Sequence, residues 1–86
     1  MSGGVGDGLE DEIRAIVAEV AEIAESEITA EGALEDVGVD SLLAVEIAVH
    51  VEERYGVRFD EAELADVRTF GQLVQVARRR LASGPA

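Results

Sequence analysis

Apolar residues near the start of the chain recur at steps of three and four, which is the spacing of one face of an α-helix. The set comprises Leu9, Ile13, Ile16, Val17, Val20 and Ala24. We therefore predict a first helix over residues 8–25, with Asp7 and Glu10 at the spacing of a capping box. Glu10 and Arg14 stand one turn apart and form a predicted ion pair on the outer side.

Residues 26–40 show no sustained period and are interrupted by small and polar residues, so they predict a loop. Its apolar residues are spread evenly, as Ile28, Leu34, Val37 and Val39. A long loop with that spacing is expected to pack on the core and stay ordered. A short helical turn is predicted near residues 30–34.

A second helix is predicted after Asp40, whose carboxylate can accept the free backbone N–H groups of a first turn. Ser41 then occupies the first helical position, and Gly56 suits the C-terminal stop. The inward stripe is Leu43 or Ala44, then Ile47, Val51 and Tyr55. The outer face carries Leu42, Glu46, Val49, His50 and Glu53.

Asp60 and Glu63 repeat the capping-box spacing and predict a short third helix. Thr69 is the predicted cap of a last helix, and the arginines at 78–80 suit the dipole of its final turns. The predicted inward face of that helix is Phe70, Leu73, Val74, Ala77 and Leu81. The fold class is therefore all-α: a small bundle of three main helices plus one short helix, with a long ordered loop between helices 1 and 2.

The chain is short enough for one domain. We expect a helical domain over residues 8–82, flanked by flexible tails at 1–7 and 83–86. The chain has no cysteine, its start does not resemble a signal peptide, and no apolar run approaches the ~20 residues that span a bilayer. These features favour a soluble, cytoplasmic monomer.

The net negative charge of the chain limits the classes of molecule that it can bind. The chain has 19 acidic residues, seven arginines and no lysine, for a net charge of −12. Eighteen of the acidic residues but only three of the arginines lie within residues 10–66. Such a surface repels nucleic acids and anionic membranes and attracts basic patches on proteins. An equally open interpretation is that the acidic residues only keep the protein soluble.

Few residues suit catalysis. The single histidine, His50, follows Ser41 by nine residues on the same predicted helix, about 13 Å away and too far to act as its base. One histidine without cysteine does not favour a zinc site, and residues 36–40 lack the order of a calcium loop. We interpret the chain as neither an enzyme nor a metal protein. Ser41 is then a helix-start residue or a residue that another protein modifies.

The segment GVDSL at 38–42 resembles the phosphopantetheine attachment motif G-x-D-S-L of the acyl carrier proteins of fatty-acid and polyketide synthesis. The resemblance runs from about residue 9 to residue 81. Further matches are Ile28, Leu34, Glu46, Ile47, Tyr55, Gly56 and the segment VRTF at 67–70. The chain departs from the family at Val37, where leucine is more usual, at Gln72, where an acid is common, and in lacking a proline before the third helix.

The resemblance implies that Ser41 receives 4′-phosphopantetheine from coenzyme A, with Asp40 as the helix cap beside it. A separate magnesium-dependent phosphopantetheinyl transferase would supply the base and the metal. The arm would carry acyl groups as thioesters between a ketosynthase, an acyltransferase and other acyl-processing enzymes, which would dock through basic patches. The implied recognition residues are Leu42, Glu46, Val49, Glu53, Glu61 and Glu63. Ordinary surface scatter is the alternative for the two apolar members.

The leading hypothesis is a discrete acyl carrier protein. Polyketide or other specialised synthesis is favoured over housekeeping fatty-acid synthesis, because the arginine-only basic composition and abundant alanine are typical of a GC-rich bacterial genome. The first alternative is an aminoacyl or peptidyl carrier of nonribosomal peptide assembly, although those more often carry a Gly-Gly pair where this chain has VGV at 37–39. The second is an unmodified acidic interaction module. Since aromatic residues are scarce, we also hypothesise that the helices part to admit a short acyl chain near Ile47, Val51 and Leu64.

Overall fold

A computed structural model describes residues 7–83 of the chain, and its described part is built of helices and loops. The helices are α1 (Asp7–Ala21), α2 (Ser41–Tyr55), α3 (Glu61–Ala65) and α4 (Phe70–Ser83). This architecture confirms the predicted all-α bundle of three main helices and one short helix. Helix α1 begins at Asp7 and α4 ends at Ser83, and the remaining residues of the two predicted tails lie outside the described residues.

The end of α1 differs from the prediction. The helix stops at Ala21 and not at residue 25. Glu22 adopts a left-handed backbone with φ of 60°, and the Ile23 N–H donates to the Ala18 carbonyl at 3.0 Å. This hydrogen bond is that of a Schellman motif, which satisfies a carbonyl at the helix end and turns the chain. Ala24, predicted on the inward face, is exposed as a result.

The core is an aliphatic cluster shared by α1, α2 and α4. Its fully buried members are Ile13, Val17, Ile47, Val51 and Phe70. Leu81, predicted to face inward, is instead 37% exposed, whereas Val76 is buried. The reason is that the buried core cluster ends on α4 at Ala77. Leu81 lies one turn beyond it, next to Arg80 and its ion pairs with Asp60 and Glu63.

The loop between α1 and α2 is pinned to the core as predicted. Ile28, Leu34 and Val39 are buried, and the Leu34 N–H donates to the Arg68 carbonyl at 2.9 Å. The predicted helical turn is displaced, since two short 3-10 helices occupy Glu25–Glu27 and Leu34–Val37. An isolated bridge between Ala33 and Thr69 ties the loop to the start of α4.

Arg14 reinforces this loop in a way that its predicted outer position does not suggest. It pairs with Glu10 at 3.0 Å, as expected. Its Nε also donates to the Ile28 carbonyl at 3.3 Å, and its guanidinium lies 5.0 Å from the centroid of the Phe70 ring. A cation over an aromatic face is stabilising. Arg14 therefore joins α1, the loop and α4.

Tyr55, the last residue of α2, links this helix to α1. Its hydroxyl donates to the Glu12 carboxylate, and Arg54 lies 3.5 Å from the same carboxylate. Partial burial and then the bond to Glu12 raise the pKa of Tyr55 to about 12. The Tyr55 hydroxyl and Arg54 together hold the pKa of Glu12 below its usual value. The carboxylate thus stays charged and keeps both partners.

Gly71 is a position where a helix requires glycine, and this yields a stability prediction. Its N–H donates to the Ala30 carbonyl at 2.9 Å, and a Cβ on Gly71 would lie 2.9 Å from that same oxygen. We expect Gly71→Ala to destabilise the fold by about 1–2 kcal/mol through overpacking, although alanine is normally the better helix former. Urea denaturation followed by circular dichroism measures the change.

Gly8→Ala is the matched control, because nothing lies within 4 Å of a Cβ at that position of α1. It should be neutral or stabilise the protein by about 0.5 kcal/mol. A Gly71→Ala variant as stable as Gly8→Ala would show that the loop moves away from α4 without cost.

Candidate functional site

The N-terminus of α2 is built by a short run of residues with separate tasks. Gly38 takes a left-handed φ of 90°, and Val39 is buried and anchors the approach to the helix. Asp40 is the N-cap, and its side chain accepts from the Leu43 N–H at 2.9 Å. Ser41 is therefore the first residue of the helix, as the sequence predicts.

Ser41 is exposed at this position. No described residue hydrogen-bonds its side chain. The positive end of the α2 dipole favours a negatively charged group attached there, while the neighbouring Asp40 carboxylate partly opposes it. His50 is exposed on the same helix, two and a half turns further on. The hydroxyl is thus accessible, and His50 is too far along the helix to act as its base.

A cavity of about 600 Å³ opens beside Ser41. It lies between α2, α3 and the segments before α2 and α4. The apolar part of its wall comes from Ala33, Leu34, Val39, Ala44, Val45, Ile47, Leu64, Ala65, Val67 and Leu73. Of the three residues predicted to receive an acyl chain, Ile47 and Leu64 line this cavity, whereas Val51 is fully buried in the core and does not. The cavity gives the region near Ser41 room for an apolar group.

The outer face of α2 carries a row of exposed apolar side chains. Leu42 is 72% exposed, Val45 54% and Val49 43%. Leu42 and Val49 were predicted to lie outward, but Val45 was missed. Its position three residues after Leu42 and four before Val49 places all three on one face. We call this set the α2 apolar row.

The predicted acidic recognition residues fall into two groups. Glu46, Glu53 and Glu61 are exposed and flank the α2 apolar row or the mouth of the cavity. Glu63 instead faces Arg80, whose Nη2 lies 2.7 Å from its Oε1. The hydrogen bond from Arg80 is the main reason that the pKa of Glu63 is lowered. Glu63 is therefore paired within the fold, and its role in recognising a partner stays a prediction.

Two further observations bear on what the site holds. Within residues 7–83 no group of three or more His, Cys, Asp or Glu side chains is arranged to bind a metal ion. The helices of the same part of the chain include none with the length and apolar character needed to cross a membrane.

Comparison with known proteins gives consistent matches. Residues 11–77 match a family described as a phosphopantetheine attachment site. The chain is 40% identical over 74 residues to an acyl carrier protein of Rhodococcus erythropolis. This match covers 85% of this chain and 81% of that protein. It is 46% identical over 63 residues to the meromycolate extension acyl carrier protein of Mycobacterium tuberculosis. That match covers 72% of this chain and 55% of the relative, about half of the relative's length.

Two more matches extend the range of relatives. Polyketide-8 synthase acyl carrier protein 2 of Streptomyces avermitilis is 43% identical over 58 residues, covering 66% of this chain and 67% of that protein. Among solved structures, the HMG-ACPI domain from the CurA module of Lyngbya majuscula superposes with a TM-score of 0.73 at 25% identity. That match covers 88% of this chain and 78% of the other.

Proposed function

Because the chain belongs to the acyl carrier protein family, whose members carry phosphopantetheine and are not themselves catalysts, we propose that Ser41 is the residue that bears this group here. When bound, the group supplies a terminal thiol that holds acyl units as thioesters. The single observation that carries the proposal is the exposed Ser41 side chain at the capped N-terminus of α2. An alanine at position 41 could not bear the group, because its side chain has no oxygen to bond to the phosphate.

The residues around Ser41 fit a phosphate-linked arm. Helix N-termini attract phosphate because their first backbone N–H groups lack intrahelical acceptors. Asp40 satisfies one of these donors, at Leu43. The side of Ser41 that faces α3 opens on the cavity. Asp40 therefore acts as the helix cap that fixes the position of Ser41.

In the attachment step the Ser41 oxygen would form a bond to the phosphorus of the phosphopantetheine, while the pyrophosphate bond of coenzyme A breaks and its nucleotide part leaves. A base must remove the proton of the Ser41 hydroxyl. No described residue hydrogen-bonds the Ser41 side chain. A separate phosphopantetheinyl transferase would bring the base, together with magnesium to bind the phosphates of coenzyme A. The role of this chain is then to present the hydroxyl and to dock the transferase.

Partners are proposed to dock on the α2 apolar row and its acidic flank. Exposed apolar side chains ringed by charge are typical of a protein interaction surface. The excess of acid on this surface selects partners that offer arginine and lysine. Such partners include the transferase, a ketosynthase and an acyltransferase.

Charge reversal on this surface tests the docking proposal. We expect Glu46→Lys to lower kcat/KM for modification by the transferase about tenfold at low ionic strength, because encounter with a basic patch loses its steering. The deficit should shrink as salt is added. Glu19→Lys makes the same change on α1, where Glu19 is also exposed, and should have little effect. Equal losses in both variants would show that only net charge matters.

The cavity beside Ser41 is the proposed compartment for a short acyl cargo. Its apolar lining, which includes Ile47 and Leu64, would remove apolar cargo surface from water. The proposed setting is polyketide or related specialised synthesis, supported by the relative named for a polyketide synthase. The segment VGV at 37–39 favours a carrier of acyl groups over a carrier of amino acids.

An intact-mass measurement tests the proposed function. The chain is incubated with coenzyme A, magnesium and a broad-specificity phosphopantetheinyl transferase, and peptide fragmentation then locates the added mass. We expect the mass of one phosphopantetheine per chain, located at Ser41. No gain in mass would overturn the proposal and favour the unmodified interaction module, whereas a gain at another residue would overturn the assignment of Ser41.

A further inference from the structure

Arg80, in the last turn of α4, binds the N-cap residue and the third residue of α3, which are Asp60 and Glu63. Its Nη2 lies 2.9 Å from Asp60 Oδ2 and 2.7 Å from Glu63 Oε1. Its Nε donates to the same Glu63 oxygen at 3.0 Å. Asp60 and Glu63 are also the two members of the capping box of α3. One guanidinium therefore binds both members of the capping box of this helix.

Few apolar contacts hold α3 itself in place, and the anchors of this segment lie at its flanks, where Phe59 and Val67 pack against the core. The helix has five residues, and none of them is buried. Its side away from Arg80 forms part of the cavity beside Ser41 through Glu61, Leu64 and Ala65. A short segment with few buried apolar contacts belongs to the parts of a fold that open most easily. The hydrogen bonds from Arg80 to Asp60 and Glu63 are thus the side-chain contacts that tie this wall of the cavity to α4.

We propose that Arg80 is a positioning residue that latches α3 as the movable wall of the cargo compartment, and so determines how well the compartment shields an acyl group from water. This inference rests on the proposed function of the cavity. The position of Arg80 in the sequence suggests only that its charge compensates the dipole of α4. The contacts with Asp60 and Glu63 span 20 and 17 residues, and they assign the side chain a second task.

Hydrogen exchange in the unmodified protein tests the latch without any cargo. In Arg80→Gln we expect protection of the Leu64 amide, which bonds to the Asp60 carbonyl at 3.1 Å, to fall about 5-fold. Protection in α1 and α2 should not change. Arg58→Gln is the charge-matched control, because Arg58 is exposed and makes no ion pair among the described residues. Unchanged protection in Arg80→Gln would overturn the proposal.

The lifetime of a short acyl group on the loaded protein tests the shielding. We expect hydrolysis to be about 3- to 5-fold faster in Arg80→Gln than in Arg58→Gln, with Arg80→Lys between them, because one ammonium replaces a forked pair of donors. If α3 loosens but the lifetime matches the control, the wall does not guard the cargo and the proposal fails. Wild-type protein that gains no mass from the transferase would overturn the proposed function, while the exchange result would still decide whether the latch exists.

Discussion

Replacing Ser41 by alanine is expected to abolish loading completely while leaving the fold unchanged. The variant lacks the oxygen that would form the bond to phosphate. In the wild type no described residue hydrogen-bonds this oxygen, so the fold loses no hydrogen bond. Ser41 is exposed, so the free energy of unfolding should change by less than about 0.5 kcal/mol. Intact mass after incubation with the transferase measures loading, and urea denaturation measures stability.

Ser26→Ala is the matched control for that variant. Ser26 is also exposed and lies in the 3-10 helix Glu25–Glu27, far along the chain from the α2 N-terminus. It should accept the group as the wild type does. A Ser41→Ala protein that still gains mass, or a Ser26→Ala protein that fails to, would place the attachment elsewhere.

The local features that begin and end the helices, including the cap beside Ser41, could be predicted from the sequence because each is specified within a few residues. Asp40 caps the amide of Leu43, and Gly56 takes the left-handed conformation that ends α2. The Thr69 hydroxyl accepts from the Gln72 N–H at 3.1 Å, and the Gln72 side chain accepts from the Thr69 N–H in return. Glutamine thus completes the same capping box that an acid would.

The features that could not be predicted depend on distant residues or on a conformation without a sequence signal. Glu22 ends α1 in the left-handed region, where glycine is the usual residue. Val45 was missed because α2 is apolar on most sides, so spacing alone does not show which row the other helices leave uncovered. Arg80 was assigned to the helix dipole, since nothing in a local window indicates α3 as its partner.

The second substitution with a large expected effect lies in the core and changes the stability of the fold. The chain has only two phenylalanines and one tyrosine, and Phe70 is the largest side chain with no exposed surface. It joins the aliphatic cluster to the pinned loop, because Phe70 also lines a cleft of about 190 Å³ together with Ile28, Leu34 and Val37. The loop that delivers the chain to Ser41 is therefore held in part by this ring.

Phe70→Ala is expected to lower the free energy of unfolding by about 3–5 kcal/mol. A domain of this size has about 4–13 kcal/mol in total, so the variant loses a large share of its stability and part of it unfolds on warming. The loss includes the contact with Arg14, and the adjoining cleft leaves the new space open to water. Thermal and urea denaturation measure the effect.

Phe59→Ala removes the same ring from a half-buried site that packs against the outside of the core, so it should cost about 1–2 kcal/mol. Phe70→Leu keeps most of the apolar volume but removes the ring face beneath Arg14, and should fall between the two. If Phe70→Ala were no more damaging than Phe59→Ala, the loop before α2 would be anchored by its own hydrogen bonds. Ser41 would then hold its position without an aromatic core beneath the loop.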